Sequence, residues 1–236
     1  GIPVFHDDQH GTAVVLLAAL INASKVLSRS LVQMTVVVSG AGAAGSAIAK
    51  LLTGRGNQSA SIVKDVIVCD SRGAIQSSRK DLSPEKIELV NCTNETGRQG
   101  TLRQVLKGAD VFIGVSKAGL LSADDVRVMA RDPIILAMAN PEPEIMPDKA
   151  MEGGAAIVGT GRSDFPNQVN NVLVFPGIFR GALDAEATAI NDAMKMAAAV
   201  ALADAVSNPS VDEILPAPLD RSVAPKVAEA VRIAAK

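Results

Sequence analysis

A doubly wound α/β fold built on a parallel sheet is predicted, with helices flanking it at the C-terminal end. Three features predict it. Short β-branched apolar runs alternate with helix-like segments at spacings that suit strand–helix–strand units. The run VVVSGAGAAG at 36–45 places three glycines between a strand and a helix. Beyond residue 184 the chain becomes Ala-rich and helical, interrupted only by the Pro-rich LPAPLD at 215–220.

In chain order, residues 2–5 form a short apolar run that ends near Asp7 and Asp8. It reads as a strand whose tip carries two carboxylates. Residues 12–27 read as a helix that is apolar almost all round, hence buried. QMTVVVS at 33–39 is a buried parallel strand, and 43–52 the helix after it. GRGNQSAS at 54–61 is a polar loop. DVIVC at 65–69 is a second buried strand. Helices are expected over 81–90 and 101–107, with Ser83 and Thr101 as N-caps. ADVFIGV at 109–115 is a third strand. Ser122 with Asp124 and Asp125 starts a helix over 122–130. Residues 133–138 and 155–159 are further strands, and 185–206 and 221–235 the terminal helices. Three parts follow: 1–30, a strand and helix with the aspartate pair; 31–184, the nucleotide-binding unit; and 185–236, a helical segment.

The 236 residues can bury a full core, and 48% hydrophobic with 20% charged is a globular composition. A net charge of −2 leaves no basic surplus for a nucleic acid. The long apolar stretches are broken by Asn22, Ser24 and Lys25 or are Ala-rich, so no membrane span is expected. Asp7 and Asp8 interrupt the region where a secretion signal needs apolar residues. The expected compartment is the cytoplasm, with Cys69 and Cys92 reduced. The chain opens on Gly, which suggests an upstream segment. It contains no Tyr and no Trp.

Gly40, Gly42 and Gly45 fit G-x-G-x-x-G, the Rossmann fingerprint for a dinucleotide. Gly40 permits the turn, Gly42 lets the backbone approach a pyrophosphate, and Gly45 lets helix and strand pack. Ala43 and Ala44 open the helix whose N–H groups face the phosphates. Asp70 ends the next strand and suits the adenosine ribose, which favours NAD. Arg72 two residues on leaves NADP open. Ser46-Ala47 after Gly45 disfavours a P-loop. Asp7-Asp8 suits a hard cation such as Mg²⁺ or Mn²⁺, or caps the helix beginning near Gly11. His6 and His10 precede the helix and read as packing residues. Lys117 and Lys195 have no support as general bases.

Four blocks in fixed order, PVFHDDQHGTA at 3–13, GAGAAG at 40–45, MANPEPEI at 138–145 and GRSDFPNQVNNVLVFPGIFRGALD at 161–184, resemble the malic enzymes, closest to their small bacterial and archaeal type. The resemblance covers essentially the whole chain and is to the NAD-binding half with its C-terminal helices. It implies oxidative decarboxylation of malate to pyruvate and CO₂, with NAD or NADP and with Mg²⁺ or Mn²⁺, in a homo-oligomer expected to be a dimer. It implies Asp8 as metal ligand and Asp7 as its acidic neighbour near the metal. Asn140 and Asn171 would hold the substrate carboxylates, with Asn170 beside them. Gly42, Ala43, Ala44 and Asp70 would contact the cofactor, with Val115 and Ser116 near the nicotinamide and Asn140 at the same strand end. The family's catalytic Tyr and Lys, and a Glu-Asp pair of metal ligands, belong to an upstream domain; no catalytic acid or base is expected in this chain. The competing readings are a metal-independent oxidoreductase of amino-acid-dehydrogenase type and a non-catalytic dinucleotide-binding module.

Overall fold

The computed structural model describes residues 2–54 and 60–235. The sheet has six strands: β1 (Thr35–Ser39), β2 (Asp65–Asp70), β3 (Gly73–Ala74), β4 (Val111–Gly114), β5 (Ile134–Ala137) and β6 (Ile157–Thr160), in the order β3-β2-β1-β4-β5-β6. All neighbours are parallel except β2 and β3. β1 lies between β2 and β4, with Val37 opposite Ile67 on one side and Phe112 on the other. The chain therefore winds outward both ways from β1. A crevice opens at the carboxyl end of such a switch point, where ligands of open α/β sheets bind.

The period of two along each strand sorts side chains to two cores. Val36, Val38, Val66, Val68, Val111 and Ile113 face one; Val37, Ile67, Phe112 and Ile135 face the other. The first face is covered by α1 (Thr12–Val26), α2 (Ala43–Thr53), α7 (Phe175–Asp184), α8 (Asp192–Asp204) and α9 (Val223–Ala234). Leu89 of α3 (Pro84–Val90) joins that core. The second face takes α4 (Leu102–Val105), α5 (Ala123–Arg127) and α6 (Pro147–Glu152). α1 is apolar all round because it lies between sheet and α8. Its one buried polar side chain among the described residues, Asn22, donates to the carbonyls of Ala203 and Ile214. The terminal helices thus share the core of the nucleotide-binding sheet. No helix among the described residues is long and apolar enough to cross a membrane.

Several expectations need correction. Residues 2–6 form no strand: Ile2 and Val4 lie exposed, with no sheet edge beside them. The chain instead enters a wide π-type turn, Asp7–Gly11, in which the Thr12 N–H reaches back to the Asp7 carbonyl. The helix expected from 185 begins only at Asp192, where the Asn191 side chain accepts from the Met194 N–H. Ahead of it, Glu186 adopts a left-handed conformation after α7. The helices expected over 101–107 and 122–130 are shorter, although both caps form: Thr101 with Gln104, and Ser122 with Asp125. α6 and α7 are helices that the sequence pattern does not announce. Most of the loop over 54–61 falls outside the described residues. Cys69 and Cys92 are both buried and form no disulfide among the described residues.

α7 carries Gly177 and Gly181 on the face that meets α9. A Cβ at Gly181 would overlap the Ala228 carbonyl oxygen and fall 2.7 Å from Val231 Cβ. Helix propensity alone would make Gly181→Ala stabilising by about 1 kcal/mol. Overpacking against a backbone atom costs about 1–3 kcal/mol, and backbone in a helix cannot step aside as a flexible side chain can. Sterics win, so Gly181→Ala lowers the thermal midpoint by several degrees; a raised midpoint in a melting experiment contradicts this packing.

Candidate functional site

The turn between β1 and α2 is built from glycine. Gly40 has φ +123°, a conformation closed to most residues, and its N–H donates to the Cys69 carbonyl at 2.9 Å. A Cβ at Gly45 would collide with the Gly40 carbonyl, so this glycine lets α2 close down on β1. Gly42 differs: a Cβ there meets nothing within 4 Å. The fold itself therefore leaves its space open. Gly42 caps α2 without a side-chain hydrogen bond, and Gly42 and Ala43 are exposed. The first N–H groups of an eleven-residue helix thus point into an open cradle with a positive dipole end, the donor set a pyrophosphate needs.

A cleft of about 780 Å³ runs from this loop, past Ser39, Asp70 and Arg72, to Ser116 and Lys117. Asp70 is heavily engaged. Its Oδ1 accepts from the Arg72 N–H at 2.9 Å and Arg79 Nη1 at 2.8 Å; its Oδ2 accepts from Arg79 Nη2 at 3.0 Å and Lys86 Nζ at 2.6 Å. A carboxylate has about four lone-pair positions, so all are taken. These hydrogen bonds, from Arg79 above all and then Lys86, outweigh burial and hold the Asp70 carboxyl far below the usual carboxylate range. Arg79 is itself clamped by Asp81, which also takes Arg72. Two carboxylates against three cations leave this rim net positive. Cys69 lies beside it, but burial pushes its thiol up to about 12, so it is no nucleophile at neutral pH.

On the other side of β1, the tips of β4 and β5 carry Val115, Ser116 and Asn140. The Val115 carbonyl packs against Gly40, and Ser116 Oγ lies 3.2 Å from Ser39 Oγ. Asn140 is exposed at the end of the β5 tip. Glu144, fully buried, joins these tips: Oε1 accepts from the Ser116 N–H at 2.9 Å and Oε2 from the Ala139 N–H at 3.0 Å.

The Asp7–Gly11 turn packs against α2 from the same rim. Gln9 and His10 share a cleft of about 390 Å³ with Ala41, Gly42 and Ala43. Asp7 Oδ2 accepts from Asn171 Nδ2 at 2.6 Å. Asp7 Oδ1 is buried with no hydrogen-bond partner. Burial first, and then the neighbouring Asp8, push the Asp7 carboxyl above its ordinary value. Asp8 is exposed. One orphaned carboxylate oxygen beside a second carboxylate fits a hard cation. No cluster of three or more His, Cys, Asp or Glu stands here or elsewhere among the described residues, so two aspartates would be only part of a ligand set. Asn170 is turned to local use, its side-chain oxygen accepting from the Val172 N–H at 3.0 Å. The His10 ring lies tilted against Phe5, with ring centroids 5.6 Å apart, which suits a packing role.

The structure thus gathers Gly40, Gly42, Asp70 and Ser116 around one cleft, joins Asp7 to Asn171, and sets that pair's turn against Gly42 and Ala43. Nothing in the sequence singles out Arg79, Lys86 or Glu144: two are charges in loops and Lys86 a charge on the short helix α3, which ordinarily read as solvated. A consequence for pH follows from the raised Asp7. Its neutral form is favoured in the fold, so its charge opposes folding once pH rises from about 4 through the raised folded value. Without added metal, Asp7→Asn is expected to be more stable than the parent at pH 7, the gap closing on acidification to pH 4. A less stable variant at pH 7 contradicts an uncompensated Asp7.

The family model described as malic enzyme, NAD binding domain, matches residues 9–236. The chain is 56% identical to a bifunctional malic/malolactic enzyme of Bacillus subtilis, aligning 99% of this chain with 56% of that protein. It is 50% identical to an NAD-dependent malic enzyme of Geobacillus stearothermophilus, over 98% of this chain and 47% of that one. It is 46% identical to an NADP-dependent malic enzyme of Salmonella typhimurium, over 99% and 32%. The crystal structure of malic enzyme from Pyrococcus horikoshii superposes with a TM-score of 0.93 at 43% identity, covering 99% of this chain and 55% of that one. The chain spans about half the length of the first curated relatives it matches, and from the glycine loop to its last helix it belongs to the malic enzyme family, as that family's NAD-binding domain.

Proposed function

We propose that this chain is the cofactor-binding half of a decarboxylating malate oxidoreductase, working with a catalytic domain outside these residues. The reaction converts malate and NAD(P)⁺ to pyruvate, CO₂ and NAD(P)H. The observation that carries this reading is the shared rim: the aspartate turn and the glycine loop border one cleft through Gln9, His10 and Gly42. The α2 N-terminus would bind the pyrophosphate through the N–H groups beyond Gly42. Ser116 would border the nicotinamide, and Asn140 and Asn171 would hydrogen-bond malate carboxylates without adding charge. Asp8 and the orphaned Asp7 oxygen would hold Mg²⁺ or Mn²⁺, with Asn171 fixing Asp7. The metal would supply Lewis-acid polarisation of the malate C2 oxygen, and the nicotinamide would accept the C2 hydride. Proton transfer falls to the other domain, since this chain has no Tyr and Lys195 is paired with Asp192.

For the choice of dinucleotide, we favour NADP. An acidic β2 tip ordinarily repels a 2′-phosphate, but Asp70 is neutralised by Arg79 and Lys86. Lys86 and the largely exposed Arg72 retain donors toward the cleft.

Two outcomes test the proposal. In fluorescence titrations the chain binds NADPH and NADH but shows no malate-dependent reduction alone; unaided turnover contradicts a divided site. Lys86→Ala weakens NADPH about tenfold, the size of a lost charge-assisted hydrogen bond, and leaves NADH within about twofold. Equal effects on both dinucleotides contradict the 2′-phosphate assignment.

A further inference from the structure

Glu144 is a buried carboxylate whose contacts do more than fill space. It is 0% exposed and forms no ion pair among the described residues. Burying a carboxylate without a cation is costly, and an apolar side chain of similar volume would ordinarily serve packing better. Its two oxygens are spent on two N–H groups from different strands: Ser116, just past β4, and Ala139, just past β5. Room for the carboxylate exists only because residue 114 is glycine; a Cβ there would overlap Glu144 Cδ and lie 2.6 Å from Oε2. The same loop is stitched to the β4 side through its backbone, the Leu121 N–H donating to the Glu144 carbonyl at 3.0 Å and the Gly119 N–H to Pro143 at 3.2 Å.

A carboxylate that accepts one N–H on each oxygen fixes the separation of its two donors within a few tenths of an ångström. Here the donors are Ser116 itself and the residue before Asn140. Ser116 in turn meets Ser39 across the switch point. We propose that Glu144 is a positioning residue that sets the spacing of the β4 and β5 tips so that the nicotinamide half of the cofactor seats between Ser116 and Asn140. The inference rests on the dinucleotide reading above. It assigns to Glu144 no contact with the adenosine half, which lies across β1 at Asp70. Glu144 touches neither reacting atoms nor cofactor; it acts through Ser116 and Ala139.

The test separates the two halves of the cofactor by comparing NADH with ADP-ribose, which lacks the nicotinamide, on the 236-residue chain. The parent is expected to bind NADH more tightly than ADP-ribose. Glu144→Gln puts an N–H₂ where one oxygen accepted, so one backbone donor faces another donor. NADH should weaken about five- to tenfold, one hydrogen bond's worth of ordering, with ADP-ribose within about twofold. Gly114→Ala, which displaces the carboxylate without touching its charge, should reproduce that pattern and decides the matter if Glu144→Gln does not fold. Parallel weakening of both ligands would make Glu144 merely structural and overturn the proposal. So would two unchanged affinities, or a parent that binds NADH no better than ADP-ribose. A parent that binds neither ligand overturns the dinucleotide reading itself, before any variant is compared.

Discussion

β1 is the constraint on which the rest of the molecule depends. It is hydrogen-bonded in parallel register to β2 on one side and β4 on the other, and α2 must leave its end through a turn only glycine can make. Gly40 takes the left-handed conformation and Gly45 admits α2 against the Gly40 carbonyl. Those two approaches fix where the α2 N-terminus points. Every other proposed contact is arranged around that direction: the charged rim at Asp70 on the β2 side, the Ser116 and Asn140 tips on the other, and the Asp7 turn above.

Polar groups near this crevice divide into two sorts. Some are saturated and rigid. Asp70 has all four acceptor positions filled, Arg79 is gripped by two carboxylates, and Glu144 spends both oxygens on backbone donors. Others are left wanting. Gly42 heads a helix without a side-chain cap, and Asp7 Oδ1 is buried without a partner. A buried orphan costs folding free energy; Asn22 Oδ1 is another, in the core, but the Asp7 oxygen lies on the rim of the open α2 N-terminus, as suits a place where a ligand is received. The saturated groups supply the stiffness that holds the unsatisfied ones in place.

Much of this was legible from residues alone, because local rules sufficed. The alternation of Val36, Val37 and Val38 between two cores follows from strand period, and Gly40–Gly45 from the strand–turn–helix pattern. The Asn-rich segment at 167–171 acquired meaning only through resemblance to a family. What stayed hidden depends on distant partners. Residues 2–6 have strand-like composition but no strand to join. α7 is disguised by Gly177 and Gly181, which lower helix propensity yet admit α9. Residues 185–191, Ala-containing and helix-like in composition, only link α7 to α8, since the Asn191 cap sets the true start of α8. Arg79, Lys86 and Glu144 read as surface charges until two loops and the helix α3 bring them to Asp70, or to the amides of Ser116 and Ala139.

The central claim is tested most directly by a crystal structure of this chain grown with NADPH. The account predicts the pyrophosphate on the N–H groups at the start of α2, the adenosine half beside Asp70 and Lys86, and the nicotinamide between Ser116 and Asn140, on the rim shared with Asp7. Dinucleotide density lying elsewhere, for example in the groove bounded by α2, α8 and α9 with the α2 N-terminus bare, would contradict it.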